Sequence, residues 1–206
     1  MKLSQGSTVA IATQSALLSA GLVFASLAGS APPLAARAAP DVCVLAPSLE
    51  AAPTSPPTAV PQAQTPLSRP TLFVREPLAE LRIERGSTAL WTWRSLVGEA
   101  LEGPLAWPLP PLKPRQSFTV RLRPVGAIAE HFATIKLVGA APGRLREGDG
   151  LIQSLMGRPQ AWLGAIDGLL AKGDRPLATA LLFAHEGPNE PELNALRLLV
   201  AQQSCP

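Results

Sequence analysis

Apolar and polar residues alternate through the middle of the chain, and the period of two marks half-buried strands. Leu72-Phe73-Val74 is a short apolar run behind Pro70. Leu81 and Ile83 alternate with Arg82 and Glu84, and Arg85-Gly86-Ser87 supplies a turn. Leu90-Trp91-Thr92-Trp93-Arg94 resumes the alternation with both indoles on one side. Phe118, Val120 and Leu122 alternate with Thr119, Arg121 and Arg123, and Ala133, Ile135 and Leu137 with Phe132, Thr134 and Lys136. Beyond Asp149 the spacing becomes helical. Trp162, Ala165, Ile166, Leu169 and Leu170 form one stripe that Gly173 stops. Asp174 caps a second helix through Leu177, Leu181 and Ala184 to Gly187. Asn189 to Glu192 opens a third, carrying Leu193, Leu196, Leu199 and Val200.

The expected fold class is therefore α+β: an antiparallel β-sandwich over residues 71–140, followed by a helical region of about three helices over 141–206. Ahead of them, residues 39–70 read as a disordered linker, with prolines scattered from Pro47 to Pro70 among Ala, Ser, Thr and Gln. Pro108, Pro110, Pro111 and Pro114 exclude a central strand between the sheet segments.

The phrase Leu112-Lys113-Pro114-Arg115-Gln116-Ser117-Phe118-Thr119-Val120 resembles the turn-into-strand phrase of immunoglobulin-like and fibronectin type III domains, Leu-x-Pro-Gly-x-x-Tyr-x-Val. Arg115 stands where that phrase has glycine. Phe118 stands for the tyrosine, which removes the tyrosine corner. The resemblance covers about ten residues and implies an immunoglobulin-like architecture only, which serves many functions.

Residues 1–38 read as a secretory signal peptide. Lys2 is a positive start, Ala16–Ala28 an apolar stretch too short to cross a bilayer, and Ala36-Arg37-Ala38 a processing site, with Ala28-Gly29-Ser30 a second candidate. Export to the periplasm, cell surface or medium follows, with no stable membrane span after processing. The rival is an uncleaved anchor over the longer run from Val9 to Ala28. Cys43 and Cys205 are the only cysteines, and an oxidising compartment favours a disulfide between them. The formal charge is +3, and losing Lys2 and Arg37 lowers it to +1. With no basic run of five, the electrostatic footprint of a nucleic-acid partner is missing.

Candidate chemistry is sparse. His185-Glu186 begins like a zinc-binding H-E-x-x-H helix, yet position 189 is Asn and Gly187-Pro188 breaks the helix. His131 beside Glu130 reads as a polar residue at a strand edge. No nucleophile elbow, phosphate loop or dinucleotide fingerprint occurs, so no catalytic residue, metal or cofactor is assigned. Trp91, Trp93 and Trp107 are candidate ligand-stacking residues, although two tryptophans on one sandwich face are more often core. Arg121 and Arg123, with Arg82, fall on a polar outer face, more often a plain solvated face than a basic stripe for an acidic polysaccharide.

The leading expectation is an exported, non-catalytic binding or envelope-organising module, whose partner is a protein or polysaccharide of the cell envelope. The alternatives are a carboxylate-based hydrolase of envelope polysaccharide, drawing on Glu76, Glu80, Glu84, Glu99, Glu102 and Glu130, and an accessory subunit of an envelope protein complex.

Overall fold

The computed structural model describes residues 42–49, 60–96 and 99–204. The segment read as a signal peptide, residue 205 with its cysteine, and most of the centre of the expected linker lie outside the described residues. Among the described residues eight strands run in chain order: β1 (Val44–Ala46), β2 (Gln62–Thr65), β3 (Thr71–Val74), β4 (Leu78–Arg85), β5 (Thr88–Arg94), β6 (Pro104–Ala106), β7 (Ser117–Pro124) and β8 (Ala133–Gly139). Four helices follow: α1 (Pro142–Leu155), α2 (Ala161–Ala171), α3 (Arg175–Leu182) and α4 (Pro191–Gln203).

The molecule is mixed α+β, with two sheets in a sandwich-like arrangement. One sheet has five strands in the order β2-β8-β7-β4-β5, and the other three in the order β1-β3-β6. Strand alternation dictates how the layers stack. On β3, Leu72 and Val74 enter a core shared with Leu81 and Ile83 of β4, Val120 and Leu122 of β7, and Ile135 and Leu137 of β8. The intervening Phe73 packs instead against the helices, as do Leu45 and Ala46 of β1. The small sheet is thus covered on both faces, by the large sheet on one side and a helical layer on the other. The large sheet has its helix-remote face open. This gives it the apolar-in, polar-out pattern of an antiparallel sheet with one wet side.

Two observations depart from the sequence reading. Strands β1 and β2 lie inside residues 39–70, so both ends of the expected linker are ordered parts of the sheets. Leu45, Ala46, Ala63, Thr65 and Leu67 are buried there. The prolines misled because these strands are edge strands, the one place in a sheet where proline is tolerated. They stand outside the paired residues: Pro47 follows β1, while Pro61 and Pro66 bracket β2. In addition, β2 pairs parallel with β8, in the register Gln62↔Lys136 to Thr65↔Gly139, so the large sheet is not wholly antiparallel.

The helices number four among the described residues, one more than expected. The extra element is α1. It contains Gly143, Gly148 and Gly150, which lower helix propensity and hide its pattern. Tertiary contact rescues it. Gly148 lets the helix press onto the Pro66 carbonyl, which would lie 2.3 Å from a Cβ at that position. Asp149 Oδ1 accepts a hydrogen bond from the Ser68 N–H at 2.9 Å. Asp174 caps α3 by accepting from the Leu177 N–H at 3.3 Å, and it also pairs with Arg144 of α1. Helix α3 stops at Leu182, earlier than the expected Gly187. The backbone N–H of His185 then donates to Thr71 Oγ1 of β3 at 2.8 Å, stitching the helical layer to the small sheet.

Candidate functional site

The open face of the large sheet carries an arginine cluster built by strand register. Glu80 of β4 lies opposite Arg94 of β5 on one side and Arg123 of β7 on the other. Arg82, two residues along β4, lies opposite Arg121. All five residues occupy positions that alternate with core residues, so they share the outward face.

Glu80 is the hub. Its Oε1 accepts from Arg82 Nε at 2.6 Å and Arg94 Nε at 2.8 Å, and its Oε2 from Arg123 Nη2 at 3.0 Å. The residue is 3% exposed. Burial alone would raise its pKa. The hydrogen bonds from Arg82, Arg94 and Arg123 outweigh that and bring it down from 4.5 to about 2. Glu84 Oε2 accepts from Arg121 Nε at 3.0 Å. Phe132, just before β8, lies beneath two of the cations, its centroid 4.6 Å from the Arg82 guanidinium carbon and 6.0 Å from that of Arg123.

Four guanidinium groups therefore face two carboxylates, an excess of two positive charges. Lys136 on β8 and Glu130, whose charge acts on Arg82, offset each other at the margins. The Arg94 and Arg121 side chains are 65% and 44% exposed, leaving donors for an approaching anion. With three arginines holding Glu80 ionised, it is unsuited to proton donation near neutral pH.

The sequence candidates divide. Arg121 and Arg123 lie in this cluster. Trp91 and Trp93 pair with Ile83 and Leu81 and so face the core side of β5. Because β5 is the sheet's edge, both indoles remain half-buried, away from the arginine face. Trp107 departs from the expectation of a stacking surface. It is 6% exposed, its ring packs edge-on to Phe118 at 5.3 Å, and its N–H donates to the Pro110 carbonyl at 3.1 Å. Glu80 entered the sequence reading only as one of six carboxylates open to a hydrolase, and Arg94 and Phe132 were not raised as site residues. Strand parity puts all three on the outward face with Arg121 and Arg123, and the register then brings them together.

Cys43 packs against the helical core, and its N–H donates to Glu76 Oε2 at 2.8 Å. Among the described residues, no three His, Cys, Asp or Glu side chains gather to hold a metal ion, and no helix is long and apolar enough to cross a membrane. No protein-family model, curated protein or solved structure matches the chain.

Proposed function

We propose that this chain is an exported, non-catalytic binding module of the cell envelope that holds an acidic polysaccharide on the open face of its large sheet. The observation that carries this reading is the uncompensated positive charge of the Arg82, Arg94, Arg121 and Arg123 cluster, fixed in place by the buried Glu80. Guanidinium groups anchored on one edge keep their remaining N–H donors pre-oriented for carboxylates of a sugar polymer. The arginines come from three neighbouring strands, β5, β4 and β7, a spread that suits an extended chain better than a small substrate.

Export rests on the signal-peptide pattern of residues 1–38, and the cystine between Cys43 and Cys205 on the same compartment. The position of Cys43 supports that bridge. It packs against the same cluster as Val200 and Ala201 near the end of α4, so a link to Cys205 would tie β1 to the last helix. The three- and five-stranded layers and the phrase at 112–120 support an immunoglobulin-like reading of the sandwich. The envelope-subunit alternative draws on Leu198 and Leu199, adjacent on α4 and 64% and 48% exposed.

Titration with polygalacturonate tests the main reading. Binding is expected at low ionic strength, weakening steeply with added salt, with neutral dextran inert. Substituting Arg94→Ala and Arg121→Ala together should weaken it about tenfold or more, the cost of losing two charge-assisted contacts. Equal affinity of the double variant, or no binding to the polyuronate at low salt, overturns the proposal.

A further inference from the structure

At the seam between the small sheet and the helical layer lies a cavity of about 450 Å³, within the range of roughly 300–1,000 Å³ typical of small-ligand sites. Phe73 of β3, Phe183 and Ala184 after α3, and Leu198 and Ala201 of α4 supply apolar wall. Arg197 of α4 supplies charge.

Arg197 differs from the other partly buried arginines. Arg82, Arg123 and Arg144 each rest on a carboxylate. The bonds of Arg197 all run to neutral oxygens: Nε to the Leu182 carbonyl at 2.8 Å, and Nη1 to the Pro188 carbonyl at 3.2 Å and Asn194 Oδ1 at 2.8 Å. Among the described residues, no carboxylate lies within ion-pair distance and no acceptor meets Nη2. Burial pulls the guanidinium pKa below its ordinary value, with no opposing acid. The chain makes room for this group at Gly187, where a Cβ would fall 2.6 Å from Nη2. The neutral oxygens position the side chain, and among the described residues no carboxylate answers its charge beside the apolar hollow.

We propose that this cavity is a second binding site, for a small monocarboxylic acid with an apolar body. The carboxylate meets Nη2 of Arg197, and the apolar body lies against Phe73, Phe183 and Leu198. A carboxylate supplies the missing counter-charge in a partly desolvated setting, where such a bond is stronger than between neutral groups. The site stands apart from the arginine face of the large sheet, so it holds or fails independently of polysaccharide binding.

The experiment titrates the full chain with octanoate, octanol and octylammonium by calorimetry. Octanoate should bind saturably and at least about tenfold more tightly than octanol, the worth of one charge-assisted bond, with octylammonium weakest. Arg197→Met should remove the preference for octanoate. Because that variant also strips three carbonyl and amide contacts, Ala201→Phe provides a second arm that fills the hollow and leaves Arg197 in place. It should abolish octanoate binding while the circular dichroism spectrum is unchanged. Equal affinities for octanol and octanoate, no octanoate binding to the parent, or undiminished binding by folded Ala201→Phe protein overturns the proposal.

Discussion

Arg115 sits at φ +60° in the turn that feeds β7, the only described residue other than glycine with positive φ. An L side chain in this left-handed region costs about 1–2 kcal/mol, partly offset by the greater freedom glycine would have in the unfolded chain. The turn holds Arg115 there through its N–H to the Gly139 carbonyl at 2.8 Å and the Gln116 N–H to the Lys113 carbonyl at 3.1 Å. Arg115→Gly should therefore stabilise the protein by up to about 1 kcal/mol, read as a higher urea midpoint with unchanged slope. Glu80 makes the opposite case. Its folded pKa of about 2 lies below the ordinary 4.5, so its stabilisation is fully present above 4.5 and is lost as pH falls through 2. The corresponding contribution is about 3 kcal/mol at neutral pH. Glu80→Gln should destabilise the protein by a similar amount at pH 7, leaving three arginines around a neutral amide. It should also flatten the stability profile between pH 4.5 and 2, measured by denaturation at stepped pH. The turn position was legible at the residue scale from the phrase at 112–120 that leads into an alternating strand. The hub role of Glu80 was not, because a lone Glu in an alternating strand looks solvated until register surrounds it with cations.

At the scale of elements, legibility tracked periodicity. Strands β4, β5, β7 and β8 alternate over seven or eight residues and were readable in place. Strands β1, β2 and β6 run three or four residues, too short for a period to emerge, and prolines stand within or beside them. Helix α2 displays its stripe and α3 its Asp174 cap, whereas α1 owes its existence to what it touches. That difference is measurable. Gly148→Ala would drive a methyl into the Pro66 carbonyl and should cost about 3 kcal/mol. Gly150→Ala, two residues along and on the opposite side of the helix with open space around it, should stabilise by about 0.5–1 kcal/mol through helix propensity. Thermal unfolding of the two variants should move in opposite directions. The arginine face was half legible for a related reason: β7 announced Arg121 and Arg123 by alternation, but pairing with β4 and β5 had to be seen before the charges could be counted.

For the whole molecule, the small sheet is the shared element. Phe73 meets Phe183 with ring centroids 5.0 Å apart, while its neighbours Leu72 and Val74 face the large sheet, so three residues of β3 serve both cores. Unfolding should be cooperative across sandwich and helices, with loss of far-UV circular dichroism and of slow amide exchange coinciding in urea. A chain ending at residue 140 should fail to fold as a monomer, since Leu45, Leu67 and Phe73 would lose their cover; size-exclusion chromatography reports the outcome. The layering also sorts the four tryptophans into natural optical reporters. Trp107 and Trp162 are sealed, 6% and 2% exposed, while Trp91 and Trp93 stand half open on the sheet's rim. Iodide should therefore quench one pair and spare the other. Trp162 lies against Gly187 beside the Arg197 cavity, so a shift in the protected emission would mark occupancy there without any label attached.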